Sequence, residues 1–317
     1  MTAIAEASAI LPRRGGLFGS LSDVFWRRPK LLIFLLLVPA LLWLGIVYVG
    51  SLLALLLQSF FYIDDFSGMV VHEFSLRTYA ELFRAQNLDI IFRTVAMAAA
   101  VTIASALIAF PIAYIAARYA RRAWKAVFYL GIMLPLWASY LVKIYAWKLI
   151  LAKEGILNWV FEQLHLTFLL EWWLSLPVIG GNSLSISYTG TFLVFLYVWM
   201  PYMILPIQAA IERVPTNLLD ASADLGATPR QTFWKVIFPL ALPGIIAGSI
   251  FTFSLTLGDY IIPQIVGNSQ FFIGMAVYSH QGTAGNIPLA AAFSVVPIVI
   301  MGIYLMLAKR AGAFDAL

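Results

Sequence analysis

The chain of 317 residues has no cysteine, so disulfides and thiolate metal sites are excluded, and the compartment is left open. Charge is scarce as well. Asp, Glu, Lys and Arg make up 11% of the residues, where a soluble domain carries roughly a quarter. The three histidines, His72, His165 and His280, stand in no metal-ligand spacing. No Gly-x-Ser-x-Gly, His-Glu-x-x-His or Gly-x-x-x-x-Gly-Lys-Ser/Thr segment occurs, so hydrolase, zinc-protease and nucleotide chemistry have no anchor here. Leu257-Gly258-Asp259 has part of the Gly-x-Gly-Asp pattern of intramembrane aspartyl proteases, but Thr256 stands at its first glycine. A lone intramembrane aspartate also lacks the second carboxylate which that mechanism needs. No catalytic residue, metal site or cofactor is expected. The net charge of +5 is spread over loops and implies no nucleic-acid partner.

What is present is apolar. Hydrophobic residues reach 62% and the mean hydropathy is +0.91, enough for several bilayer-length helices. After a basic tail, residues 1–30, the first apolar stretch runs from Leu31 to about Phe61, with Pro39 and Gly45 as kink candidates. It is too long for the core of a secretory signal and long enough to cross a bilayer. Residues 62–89 read as a polar loop. The second span, about Ile90 to Ala117, is rich in Ala, Ser and Thr, which lets helix backbones approach closely inside a bundle. A third span, about Ala126 to Leu151, is expected to break at Pro135. The apolar piece Leu164 to Ile179 is short, contains Glu171, and has Trp172 and Trp173 suited to the headgroup level, so it reads as interfacial or re-entrant. Three more spans follow, at about Thr189 to Ile211, Leu240 to Val266 and Ile287 to Ala308.

Charge sidedness tests this layout. With the N-terminus inside, fourteen of the twenty basic residues fall on the cytoplasmic side, among them Arg118, Arg121, Arg122 and Lys125, then Arg213, Arg230 and Lys235. Arg77, Arg84, Arg93 and Lys153 are left outside. That bias is the positive-inside signature. The expectation is an all-α membrane protein with six transmembrane helices and both termini cytoplasmic. It comprises tails at 1–30 and 311–317 and a permease-like body over 31–310.

Between the fourth and fifth spans lies the most polar run of the second half, Asn217 to Pro239. Asn217 is suited to N-cap a short helix through Leu225, after Pro215. Gly226 can close that helix in a left-handed conformation. Thr228, Pro229 and Gln231 then form a capping box with proline at the first helical position. The spacing predicts a short helix, a sharp turn and a second helix that continues into the next span.

Asp220-Ala221-Ser222, Gly226 and Val236-Ile237-Phe238-Pro239 resemble the EAA loop of permease subunits of ATP-binding-cassette importers. That pattern is Glu-Ala-Ala, three residues, Gly, nine residues, then Ile-x-Leu-Pro. Spacing, glycine and proline are kept, while Asp220, Ser222, Val236 and Phe238 depart from it. The resemblance implies that loop 212–239 carries a coupling helix, with Asp220, Ala221, Ser222, Asp224, Gly226 and Pro239 contacting a cytoplasmic ATPase. An ordinary amphipathic loop is the alternative.

Lys143, Lys148 and Asp259 lie within spans, where a charge costs about 2.5–3.5 kcal/mol at a helix centre on insertion scales. Lys148 is near a span end and can snorkel. Lys143 shares a helix face with Tyr140 and Trp147, which suits either a pathway lining or a lysine paired inside the bundle. The stretches Leu136-Trp137 with Leu141 to Trp147, and Gly258-Asp259-Tyr260-Ile261-Ile262-Pro263, resemble the spermidine/putrescine-type branch, which more often has arginine in place of Lys143. The likeness covers roughly residues 31–310, and the outer insertion around Leu164 to Ser187 departs from it. It implies a non-catalytic subunit in the bacterial inner membrane. The implied partners are an ATPase dimer, a second permease subunit and an extracytoplasmic binding protein. Asp259, Tyr260, Lys143, Tyr140 and Trp147 are the expected substrate-pathway residues. A polyamine or related organic cation fits Asp259, whereas Lys143 favours an amino-acid derivative or an anion-bearing solute. An ion-coupled secondary transporter and a non-transporting membrane anchor are the rival classes, and the halves show no clear repeat that would support the former.

Overall fold

A computed structural model describes residues 29–268 and 270–310, so the expected tails at 1–30 and 311–317 lie outside the described residues except for Pro29 and Lys30, which open the first helix. The chain divides into two compact units, residues 1–57 and 58–317. In the first, α1 (Pro29–Trp43) passes through a π-helical turn (Leu44–Val49) into α2 (Gly50–Gln58). The apolar run Leu32–Gln58 is 27 residues long, about 40 Å at 1.5 Å per residue, which exceeds a bilayer core. Pro39 lies within regular α1, and the irregularity falls on the π turn that contains Gly45.

The second unit opens with a two-stranded hairpin, where a plain polar loop was expected. β1 (Tyr62–Ile63) pairs antiparallel with β2 (Val70–Val71), Tyr62 opposite Val71 and Ile63 opposite Val70. Asp64 closes the turn, accepting from the Ser67 N–H at 3.0 Å and hydroxyl at 2.9 Å, and these donors hold its carboxyl below the usual value. The short α3 (Arg77–Leu82) leads to α4 (Ala85–Arg118), the longest helix at 34 residues. Every buried residue on α4 is small: Thr94, Ala98, Val101, Thr102, Ser105, Ala109, Ala113 and Ala116. This is the close-packing face its composition predicts.

The third crossing is a broken one. α5 (Arg122–Trp137) and α6 (Tyr140–Ile150) meet at 96°, and the break falls at Ala138 and Ser139 instead of Pro135. Both residues are extended, while Pro135 removes only one helical donor and stays inside α5. The expected interfacial segment, Leu164 to Ile179, contains α8 (Thr167–Leu174) and follows α7 (Ile156–Gln163), eight residues each and too short to span. α9 (Tyr188–Glu212) follows. Its apolar window is 56% buried against 28–39% for the other unbroken spans of this unit, which makes it the most enclosed of them.

α10 (Thr216–Asp224) and α11 (Pro229–Thr232) form the elbow. α11 continues through a π turn (Phe233–Ile237) into α12 (Phe238–Gly258), a 30-residue run from Pro229 to Gly258. The fifth span was expected to reach Val266, but it stops at Gly258, and α13 (Ile261–Ile265) is a separate short helix. α14 (Ile273–Gln281) and α15 (Ile287–Arg310) complete the chain. Among the described residues five helices are long and apolar enough to cross a membrane, and the bent α5–α6 pair makes six.

Helices α4, α9 and α12 pack on one another. At Gly244 an added Cβ would lie 2.5 Å from Ala210 Cβ and 2.6 Å from the Pro206 carbonyl oxygen, so α12 can approach α9 only with glycine there. The two ends of the unit are tied differently. At one, Arg118 donates to the carbonyls of Ile211 and Val214 at 3.2 and 3.0 Å, and Lys125 pairs with Glu212 at 2.8 Å. At the other, Arg93 donates to the Phe271 carbonyl at 3.0 Å and the Tyr188 hydroxyl bonds Gln270. The basic run after the second span therefore lies at the same end as the elbow, as the charge pattern requires.

Candidate coupling elbow and mid-bundle crossing

The elbow is built almost wholly from backbone chemistry. Pro215, at φ −65 and ψ 140, takes the N-cap position of α10, and Asn217 becomes its second residue. This corrects the expected cap. Thr216 opens the helix directly behind the proline, whose fixed φ and extended ψ deliver the chain at the right angle. At the far end the Gly226 N–H bonds the Ala223 carbonyl at 2.8 Å and the Ala227 N–H bonds the Ser222 carbonyl at 3.1 Å. That is a Schellman pairing with Gly226 at φ +76. Nothing lies within 4 Å of where a Gly226 Cβ would be, so a substitution there is opposed by backbone strain and not by a clash.

Thr228 and Gln231 form the expected capping box, with the Thr228 N–H on Gln231 Oε1 at 2.8 Å and the Gln231 N–H on Thr228 Oγ1 at 3.4 Å. Ser222 and Thr232 hydroxyls meet at 2.8 Å across the turn and set the angle between the two short helices. α10 has no buried residue. Asp220, Ala221, Asp224, Gly226 and Pro239 are exposed, Ser222 is half-buried, and Leu225 is 88% exposed. A rigid turn thus presents a helix that the described chain leaves uncovered. Beside it, a cavity of about 380 Å³ is lined by Ala210, Arg213, Leu218, Leu240 and Pro243.

The second region is the break after α12. Asp259 is extended, at φ −74 and ψ 134, and its Oδ1 accepts the Ile262 N–H at 2.9 Å, tying the break to the first turn of α13, whose N-cap position is Tyr260. Its other oxygen accepts the Tyr140 hydroxyl. Tyr140, the first residue of α6, stacks on Trp199 of α9 with centroids 5.9 Å apart. Two chain breaks, the α5–α6 bend and the end of α12, are therefore joined by this hydrogen bond.

Lys143 does not pair with Asp259. Its Nζ reaches back across the bend to the Pro135 carbonyl at 2.9 Å. The bend strips the last carbonyls of α5 of helical partners, and a lysine ammonium is a suitable cap for that negative end. Trp147 packs on Tyr197 at 5.1 Å and Tyr260 stacks on Tyr278 at 5.1 Å. Of the five expected pathway residues, only Tyr140 and Asp259 are joined directly. Tyr260 instead lines a separate cavity of about 380 Å³ with Gly258, Tyr278, Gln281 and Ser294. Trp199, the base of the crossing, carried no polar signal in the sequence by which to find it.

The family model described as binding-protein-dependent transport system inner membrane component matches residues 109–312, which include the elbow and the crossing. The chain belongs to this family. It is 58% identical over 306 residues to the inner membrane ABC transporter permease protein YdcU of Escherichia coli, covering 96% of this chain and 97% of that one. It is 28% identical over 281 residues to the spermidine/putrescine transport system permease protein PotB of Haemophilus influenzae, covering 88% and 90%. The fold is that of a chain in the crystal structure of a bacterial alginate ABC transporter in complex with alginate pentasaccharide-bound periplasmic protein, at a TM-score of 0.70 and 14% identity, covering 92% of this chain and 96% of that one. This chain is a multi-pass inner membrane permease subunit of an ABC importer.

Proposed function

We propose that this permease passes a polyamine or related organic cation, and that the elbow, loop 212–239, is its EAA-type coupling element. Asp220, Ala221, Ser222, Asp224 and Gly226 meet a groove of a cytoplasmic ATPase dimer, with Pro239 fixing where the following span begins. ATP hydrolysis belongs to that dimer. A second permease subunit completes the path and an extracytoplasmic binding protein delivers the solute. The permease body is residues 31–310, and both tails, 1–30 and 311–317, are cytoplasmic.

The observation that carries the coupling role is the exposed α10 held on a rigid Schellman turn and capping box. Such an element transmits force, because its angle is set by backbone bonds and not by flexible side chains. The substrate class rests on the carboxylate of Asp259, set at a break in the bundle where a moving solute can displace the Tyr140 hydroxyl. PotB, named for spermidine and putrescine, supports the same chemistry.

The test is purification of the assembled complex followed by uptake in vesicles. ATPase subunits should be retained, and ATP-dependent uptake of putrescine or spermidine should exceed that of an anionic solute of similar size. Uptake of the anion alone would overturn the cation assignment, and uptake driven by an ion gradient without ATP would overturn the coupling role. Reporters after Leu317 and at Asn268 should read cytoplasmic and external respectively, and a cytoplasmic signal at Asn268 would overturn the sidedness.

A further inference from the structure

Three donors converge on one carboxylate oxygen at the elbow end of the bundle. Glu212, the last residue of α9, accepts on Oε1 from Lys125 Nζ at 2.8 Å, from the Tyr129 hydroxyl at 3.0 Å and from Gln208 Nε2 at 3.1 Å. Lys125 and Tyr129 lie one turn apart on the same face of α5. Gln208 is fully buried on α9. Three residues beyond Glu212, Pro215 caps the elbow helix α10. The other end of α5 is the 96° bend, and directly after it stands Tyr140 with its bond to Asp259.

α5 is 16 residues long, about 24 Å of rigid helix, with Glu212 holding its first turns and the crossing at its far end. Other ties between α5 and α9 are apolar, Ile132 packing among Met203, Ile204 and Ile207. Such contacts slide, whereas three donors on one oxygen fix register and direction. We infer that Glu212, through Lys125 and Tyr129, is the positioning residue that carries displacement of the elbow along α5 to the Tyr140–Asp259 crossing. The inference rests on the elbow being the ATPase-coupling element. Glu212 ends α9 at the edge of loop 212–239, ahead of the residues assigned to the ATPase contact, and it acts by making α5 follow the end of α9. Arg118, which caps the carbonyls of Ile211 and Val214, holds α4 to the same helix end but has no connection to the bend.

The experiment compares solute imported per ATP hydrolysed in the reconstituted complex for Glu212→Gln, Lys125→Met and the exchange Lys125→Glu with Glu212→Lys. Each single variant should keep its ATPase subunits and its basal hydrolysis, while import per ATP falls about threefold or more, the range that coupling residues span. The exchange should recover most of that loss, since it restores one ion pair between the same two helices. A role in stability alone would lower assembly and leave the ratio unchanged, and that result would overturn the inference. So would an exchange no better than the single variants. If Glu212→Gln does not assemble, Tyr129→Phe removes one donor without altering charge and must lower the ratio by itself. Loss of ATPase retention in an elbow variant together with an unchanged ratio in all Glu212-network variants would leave the coupling elbow standing and remove only this route.

Discussion

The elbow and the crossing are both departures from regular membrane helix, yet they are made in opposite ways. At the elbow every bond that sets the geometry joins residues at most ten apart, from Ser222 to Thr232, and the helix it holds is exposed. At the crossing the deciding bond joins residues 119 apart, and its partners are half-buried, with Tyr140 stacked on Trp199. A locally coded element can move as a unit without losing its shape. An element made by long-range contacts changes whenever its neighbours move. The first suits an input lever and the second suits a gate, and this division is what variants can break.

The largest effect should come from Gly226→Val. A β-branched residue at φ +76 costs roughly 1–2 kcal/mol and re-aims α10, so the purified complex should lose its ATPase while the spans still insert. Gly226→Asn, which tolerates the left-handed region, should retain most of it. Full ATPase retention and uptake in the valine variant would reduce the elbow to a connector.

Asp259→Asn should come next, with assembly intact. The amide oxygen can still accept the Ile262 N–H, and its Nδ2 can donate to the Tyr140 hydroxyl in place of accepting from it, so both contacts survive and what is lost is the charge. Hydrogen bonds to a charged group are worth about 1.5–3 kcal/mol, so uptake of an organic cation should fall about tenfold or more. Unchanged uptake would remove Asp259 from the pathway and make the crossing purely structural.

A smaller effect is expected for Thr228→Ala. Losing the cap costs about 1 kcal/mol, which loosens α11 without releasing the turn at Gly226. Thermal unfolding should shift down slightly, and Thr228→Ser should match the parent. A loss as large as that of Gly226→Val would show that the box, and not the glycine, sets the elbow angle.

The smallest effect is the coupling between Lys143 and Asp259. Lys143 caps Pro135 and is not bonded to the carboxylate. A double-mutant cycle with Lys143→Met and Asp259→Asn should therefore give an interaction energy within about 0.5 kcal/mol of zero. Rescue of assembly in the double variant would mean that the two groups pair in another state of the transporter.

The legibility of each part follows its range. The apolar runs and the small-residue face of α4 were readable because hydrocarbon thickness and helix geometry act on contiguous sequence. The glycine turn and capping box were readable because their partners lie a few residues apart. The break at Ala138 and Ser139 was misplaced to Pro135, since a proline in a membrane helix signals a break but does not require one. Asn217 was misplaced as a cap because Asn and Pro compete for the same boundary and only the built chain chooses.

The sequence by itself determined the class of molecule, the number of crossings and the internal form of the elbow, for these depend on hydropathy, period and local caps. The tertiary structure alone decided that Asp259 meets Tyr140 and not Lys143, that Trp147 and Tyr260 serve other contacts, and that Glu212 gathers three donors. Those choices depend on how α5, α6 and α9 are rotated and how far α12 runs before it breaks. Rotation is set by packing among apolar faces that look alike in one dimension, as when Gly244 admits the Pro206 carbonyl and fixes α12 on α9.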